Sequence, residues 1–321
     1  MSLLRYVIRR TLQLIPVFLA ATVIVFFLSH LSPGNPVDVL FGANLSPDVK
    51  DQLKEQYHLN EPIWIQYLYW LNGILHGDFG VLIGYGGVGQ EQKVSDLILT
   101  RLPVTFELAI LGIFMIIAVS IPGGLLAALY DNTIIDRSIL VSTLLGIGTP
   151  NFWLAIFLIM IFSVWIGIVP SGGWVPLTED PIGNIQTAIL PSFALAARYM
   201  GLTTRVFRAD LLDVKEKEYI ETAKAMGIPS REIVRTDMLT NAIIPTLNIM
   251  GLSVIGMISG SIIVETIFEL PGLGQFILVS ILERQYAATQ GITVLFVILF
   301  LFLNLLVDIL SAKLDPRITT E

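Results

Sequence analysis

The amino-acid sequence predicts an all-α integral membrane protein with about six transmembrane helices. Of its 321 residues, 54% are apolar and only 14% charged, against roughly a quarter charged in soluble domains. The charges gather between long apolar runs, as they must where each one held at the bilayer centre costs about 2.5–3.5 kcal/mol or more. Lys and Arg are also unequally shared between alternate loops, which is the bias that sets orientation in the membrane.

Six windows are charge-poor over the roughly 20 residues a span requires. They lie at 11–30, 108–130, 138–168, 181–201, 238–264 and 285–307. The fourth is the weakest, because Arg198 falls inside it. The first follows Arg5, Arg9 and Arg10, as a signal peptide would. Its apolar stretch outruns the usual core of roughly 7–15 residues, and no clear small-x-small cleavage site precedes Pro33, so we read it as a retained span.

With the N-terminus inside, the inner side holds Arg5, Arg9, Arg10, Arg137, Arg205, Arg208, Lys215, Lys217, Lys224, Arg231, Arg235, Lys313 and Arg317. The outer side holds only Lys50, Lys54, Lys93, Arg101 and Arg284, which places both termini in the cytoplasm. The chain then divides into an N-terminal segment with the first helix (1–31), an extracytoplasmic loop region (32–102), a core of five spans (103–313) and a cytoplasmic tail (314–321).

The outer loop is too long for a simple connector. Ser46 or Asp48 is placed to cap a helix running to Tyr57. The segment Ile63–Leu75 carries Trp64, Tyr67, Leu68, Trp70 and Leu71, a pattern suited to the membrane interface. A packed lid over the helix ends and a surface in contact with substrate are both compatible with it.

Several chemistries are excluded. A net charge of −7 argues against a nucleic-acid partner, which needs a concentrated basic surface. Gly84-Tyr85-Gly86-Gly87-Val88-Gly89 has the spacing of a dinucleotide fingerprint, but no βαβ unit surrounds it and it reads as a flexible outer loop. There is no G-x-x-x-x-G-K-[ST] phosphate loop, so the chain is not expected to hydrolyse ATP itself, and no H-E-x-x-H or G-x-S-x-G occurs. His30, His58 and His76 are too widely spaced to suggest a metal site. Among ionisable residues near the spans, Glu107, Glu265 and Asp308 sit near helix ends, where snorkelling is cheap. Arg198 lies deeper, facing either an aqueous pathway or a carboxylate partner.

The longest charged stretch on the inner side is 205–241. It reads as two short helices, 213–226 and 230–239. On the first, Tyr219, Ile220, Ala223 and Met226 share a face, flanked by Lys217, Glu218, Glu221 and Lys224. Gly227 is suited to the left-handed residue that ends a helix, and Pro229 to opening the next. Thr222, Ala223 and Ala225 keep the first helix slim, so it suits a groove on a partner; its lysines equally suit a helix lying flat on the inner leaflet.

The run Tyr219, Ile220, Glu221, Thr222, Ala223, Lys224, Ala225, Met226 and Gly227, followed by Asn241-Ala242-Ile243-Ile244-Pro245, resembles the EAA loop of binding-protein-dependent ABC importers in its peptide-transporter form. Other segments resemble the same family: Gly77-Asp78-Phe79-Gly80, Arg101-Leu102-Pro103, Thr149-Pro150-Asn151-Phe152-Trp153, Pro271-Gly272-Leu273-Gly274 and Leu314-Asp315-Pro316-Arg317. The resemblance covers nearly the whole chain and points to the first (B-type) permease subunit of dipeptide, oligopeptide and nickel systems. Thr222 stands where the motif name expects alanine, Asn35 where aspartate is common, and Gln285-Tyr286-Ala287 where an Asp-x-Pro-like stretch is usual.

That resemblance implies a type I importer-like permease in a prokaryotic inner membrane, with a second homologous permease, two ATP-binding subunits that carry ATP and Mg, and an extracytoplasmic solute-binding protein. It implies no cofactor in this chain and makes 219–227 the segment coupling to the ATPases. Arg198 and Asn248 are the candidates for lining the pathway. Peptides are the favoured substrate, with nickel complexes and oligosaccharides as alternatives. An ion-driven secondary transporter would be expected to show inverted repeats and a midplane acidic site, and neither is evident. A membrane enzyme or assembly scaffold lacks any catalytic constellation to support it.

Overall fold

The computed structural model describes residues 3–30, 46–56, 58, 60–83 and 91–314. In chain order the helices are α1 (Leu3–His30), α2 (Pro47–Gln56), α3 (Ile63–Leu75), α4 (Val94–Leu129), α5 (Ile134–Gly148), α6 (Asn151–Trp165), α7 (Pro181–Lys215), α8 (Glu218–Ala225), α9 (Ser230–Ile267), α10 (Leu273–Leu282) and α11 (Tyr286–Leu314). A two-stranded antiparallel hairpin, β1 (Val81–Ile83) and β2 (Glu91–Lys93), pairs Leu82 with Gln92. The Gly84 to Gly89 motif and the expected end of α2 at Tyr57 lie outside the described residues.

Among the described residues, four helices are long and apolar enough to cross a membrane: α1, α4, α9 and α11. The pair α5 and α6 makes a fifth if counted as one span, but it is bent by 105°. The uninterrupted span expected at 138–168 is therefore broken. Pro150 is the cause: it disfavours helical backbone in the residue before it and cannot donate to the ladder. Thr149 accordingly has extended backbone, ψ 123°, and α6 starts afresh after Pro150. The last turns of α6, Ile159–Trp165, widen into a π-helix.

The chain forms two compact units. One comprises Met1–Tyr6, Phe106–Leu270 and Leu303–Glu321; the other comprises Val7–Thr105 and Pro271–Phe302. In the first, α7 is the central element, packed against α5, α6 and α9. Asp180 caps it by accepting from the Ile182 N–H at 3.1 Å, and Pro181 sits at its first turn. The expected window at 181–201 is only its N-terminal part, since the helix runs on to Lys215.

Burial explains why α7 is less apolar than a lipid-facing helix. Asn184, Thr187, Ser192, Thr203 and Thr204 are all buried by protein. Helices in lipid gain little from apolar burial against one another, so small and hydroxyl residues that allow close approach and interhelical hydrogen bonds hold them together. The Ser120 hydroxyl of α4 donates to the Met200 carbonyl of α7 at 3.0 Å. Gly201 brings α7 against α5, where a Cβ would stand 2.6 Å from the Thr143 carbonyl oxygen.

In the second unit, the Leu273 N–H at the start of α10 donates to Thr105 Oγ1 of α4 at 2.9 Å, replacing a local cap. The Arg101 guanidinium lies 4.7 Å from the centre of the Phe276 ring. The Gly77-Asp78-Phe79-Gly80 segment is a turn in which Asp78 Oδ1 accepts from the Gly80 N–H at 2.9 Å. At 10 residues, α10 is apolar but far too short to span, and the hydropathy windows did not resolve it.

Gly201→Ala is expected to lower the melting temperature in detergent, because its new methyl meets a backbone carbonyl that cannot rotate away; overpacking of this kind costs about 1–3 kcal/mol. Gly148→Ala, whose Cβ meets nothing within 4 Å, is expected to leave the melting temperature unchanged.

Candidate functional site

The loop at 205–241 is built differently from two short helices. The central helix α7 continues through Val214 to Lys215, and Lys217 adopts extended backbone before α8 begins at Glu218. Residues 213–215 therefore belong to α7, not to the helix that was expected to start there. The second expected helix is continuous with the span that follows it: α9 starts at Ser230 after Pro229, passes through a π-helical segment at Val234–Met238, and runs to Ile267. The wider turn of that segment rotates the face presented by the helix, so Ile233 just before it and Met238 at its end are both buried.

The end of α8 matches the sequence expectation. Gly227 has φ +78°. Its N–H donates to the Lys224 carbonyl at 3.0 Å, and the Ile228 N–H donates to the Ala223 carbonyl at 3.1 Å. This pair of bonds is a Schellman cap, completed by packing of Ile228 on the buried cluster that contains Ala223. A Cβ at Gly227 would meet nothing within 4 Å, so the demand for glycine there is purely conformational.

The face expected to unite Tyr219, Ile220, Ala223 and Met226 is divided. Ile220 and Ala223 are buried in a cluster with Ala128 of α4, Phe207, Leu211 and Val214 of α7, and Ile233, Met238 and Ala242 of α9. Tyr219 and Met226 are 45% and 68% exposed. Two buried side chains thus hold α8 to the body of the chain, while Tyr219, Thr222 and Met226, at i, i+3 and i+7, present a free stripe. Glu221, Lys224 and Ala225 are exposed as well.

Beside this cluster stands an ion-pair arrangement to which the sequence alone assigned no role. The Arg208 Nε donates to Asp136 Oδ1 at 2.6 Å, and its Nη2 donates to Asp136 Oδ2 at 2.8 Å and to Asp131 Oδ1 at 2.6 Å. Asp136 is only 3% exposed. Asn132, left-handed at φ 62°, gives its N–H to the same carboxylate at 3.1 Å. The fork geometry of arginine fits a carboxylate in two parallel bonds, so the turn between α4 and α5 is pinned to α7 one turn from Leu211. The Asp136 hydrogen bond holds the Arg208 guanidinium above its ordinary value. Two residues further, burial pushes the Asp210 carboxyl up, opposed by the hydrogen bond it accepts from Thr246 at 3.2 Å. The signal in the sequence was two aspartates flanking a short turn on a side otherwise rich in cations.

The other candidates are dispersed. Arg198 is exposed on α7 and Asn248 half-buried on α9. Arg198 lies ten residues before Arg208, roughly 15 Å along the helix, or half of the roughly 30 Å hydrocarbon thickness. Its neighbour Tyr199 packs on α9 at Gly256. Glu265, expected to snorkel at a helix end, is fully buried. Glu107 Oε2 accepts from the Trp174 indole N–H at 3.3 Å. His58 stacks on Tyr69, and His76 Nδ1 lies 2.8 Å from the Asn72 carbonyl. Among the described residues no group of three or more His, Cys, Asp or Glu side chains is placed to hold a metal.

Residues 120–320 match the family described as binding-protein-dependent transport system inner membrane component, and residues 3–109 match its N-terminal companion. The oligopeptide transport system permease protein AppB of Bacillus subtilis (strain 168) is 39% identical over 315 residues, 98% of each chain. The oligopeptide transport system permease protein OppB of Escherichia coli (strain K12) is 34% identical over 316 residues, 98% of this chain and 99% of that one. Among solved structures, an inward-facing conformation of the MetNI methionine ABC transporter superposes with a TM-score of 0.57 at 18% identity, covering 68% of this chain and 96% of that chain; at this identity the likeness concerns the fold.

Arg208→Gln leaves the buried Asp136 without its counter-charge and is expected to destabilise the chain by about 3 kcal/mol, read by thermal unfolding. Adding Asp136→Asn to that variant is expected to recover part of the loss; no recovery would mean that the two residues do not act as a pair. Gly227→Ala, forced into the left-handed region, is expected to cost about 1–2 kcal/mol, and Gly227→Asn less.

Proposed function

The chain belongs to the family of binding-protein-dependent transport system inner membrane components, and on that footing we propose that it is the permease subunit through which an ATP-driven importer passes peptides. It is a multi-pass protein of the prokaryotic inner membrane, with the near-full-length likeness to oligopeptide permeases favouring peptides as the cargo. In this reading it pairs with a second homologous permease. Two ATP-binding subunits on the cytoplasmic side bind ATP and Mg, and a solute-binding protein on the outer side delivers the substrate. Transport is this chain's task, and hydrolysis belongs to its partners.

The observation that carries the reading is the construction of α8. A helix tied to its own chain by Ile220 and Ala223 and exposed along Tyr219, Thr222 and Met226 suits a groove on a partner. The cluster beneath it joins α4, α7 and α9, so force applied to α8 would reach three helices at once. Movement of packed helices as rigid bodies is one way such force switches a pathway between its two sides. Reversing the two populations needs about 5.5 kcal/mol of differential interaction, which demands firm seating of α8. Arg198 and Asn248 are assigned to the pathway. A guanidinium at mid-depth is tolerable where it faces water or a partner chain, not lipid.

The test is to purify the chain with the subunits that accompany it, reconstitute the complex in liposomes, and follow ATP turnover and uptake. Di- and oligopeptides presented with the binding protein are expected to stimulate both; stimulation by nickel complexes or oligosaccharides alone would reassign the cargo. Met226→Glu changes an exposed side chain, so insertion should survive. Peptide uptake is expected to fall on the order of tenfold, as a loss of about 1.4 kcal/mol in docking would produce. Undiminished uptake by Met226→Glu, with the ATPases still bound, would remove α8 from the coupling route.

A further inference from the structure

The helix α3 contains no charged side chain, and its two faces meet different surroundings. Tyr67, Trp70 and the buried Ile74 line one face, and Tyr67 and Trp70 pack on α1. The Phe26 ring lies 5.5 Å from that of Tyr67 and 5.4 Å from that of Trp70. The Tyr67 hydroxyl stands 3.0 Å from Thr22 Oγ1. Thr22 already gives its own hydroxyl proton to the Leu19 carbonyl at 2.8 Å, so Tyr67 is the donor. Thr22 and Phe26 are 0% and 4% exposed.

This contact fixes a depth. Thr22 and Phe26 precede His30, the end of α1, by eight and four residues, which is roughly 12 and 6 Å along the axis. α1 is one of the four helices able to cross a membrane, so α3 is held against its flank below the level of its end. An amphipathic helix lying in the plane of a membrane sits roughly 5–10 Å into the headgroup and acyl boundary. With the His30 end of α1 at the membrane surface, the two ranges overlap.

Among the described residues the other face of α3 is largely exposed and divided into stripes. Trp64, Leu68 and Leu75, at i, i+4 and i+11, are 65%, 60% and 67% exposed. Next to them around the helix run Asn72, His76 and Tyr69, also exposed, with Tyr69 stacked on His58. α1 itself leaves Ile24 and Leu28 exposed at 58% and 60% at the same level.

We propose that α3 is an in-plane membrane helix, its Trp64, Leu68 and Leu75 side chains among the lipid acyl chains and its Asn72, His76 and Tyr69 edge toward the headgroups. The leaflet is the one at the His30 end of α1, the outer leaflet in the orientation given above. Lipid is the occupant for two reasons: the apolar stripe continues the exposed surface of a span, and no charge on α3 offers a protein partner an ion pair. Only 11% of the apolar window of α1 is buried, so α3 also gives that helix lateral support within the bilayer.

The chain has no cysteine, which allows a direct test on the full chain in liposomes with its accompanying subunits. Spin labels at Trp64→Cys, Leu68→Cys and Leu75→Cys are expected to be relaxed more by molecular oxygen, which concentrates in lipid, than by a water-soluble nickel chelate; Asn72→Cys should show the opposite preference. Labels at 64, 68 and 75 that favour the chelate would place α3 in water, and labels hidden from both reagents would mean that protein covers it; either result overturns the proposal. Independently, Trp64→Phe is expected to lose a share of the tryptophan emission quenched by brominated phospholipid, and no loss would equally count against it. Both readouts concern depth alone, so they stand or fall separately from transport.

Discussion

Close approach of helix backbones through small residues is the constraint on which the larger unit depends. Lipid supplies no hydrophobic force between helices, so their association must come from packing and hydrogen bonds. The central helix α7 meets this requirement with Gly201 under the Thr143 carbonyl and with the Met200 carbonyl accepting from Ser120. Because the same helix extends past its apolar part to Lys215, the rigidity gained there is carried outward. Phe207, Leu211 and Val214 form the floor on which α8 rests. Arg208 ties in the turn between α4 and α5.

The ion pairs of Arg208 differ in kind from ordinary surface pairs. Exposed salt bridges contribute roughly 0–1 kcal/mol, because two mobile chains must be held in place and water screens them. Here one carboxylate is almost wholly buried and receives two guanidinium bonds and a backbone N–H. Such an arrangement is weak evidence for net stability, since desolvation is costly, but removing one member exposes that cost in full. Its value is geometric: it fixes where the α4–α5 turn stands relative to α7.

Much of the architecture was legible from residues. Composition gave the class, the aromatic run gave α3 with both its ends, and Gly227 followed by Pro229 gave the end of α8 and the start of α9. What failed did so for physical reasons. A hydropathy window averages over its length and so passed across Pro150, although the restriction of the residue before proline was written in the sequence. It also undervalued α7, in which Asn184, Thr187 and Thr204 are buried by protein and hydrogen-bonded. Helical periodicity placed Ile220 and Ala223 beside Tyr219 and Met226. It could not say that a floor from α7 and α9 would cover the first pair and stop short of the second. The partnership of Arg208 with aspartates more than seventy positions away in sequence is likewise a product of tertiary packing.

The moderate polarity of α7 has a consequence for biogenesis. A segment with Asn184, Thr187, Ser192 and Arg198 along its length gains little by leaving the translocation channel for lipid on its own. Its retention must wait for neighbours that satisfy it. α4, α5 and α6 are synthesised before it, and α9 only after it. The order of synthesis therefore makes α4 and the bent pair the first surfaces able to receive this helix.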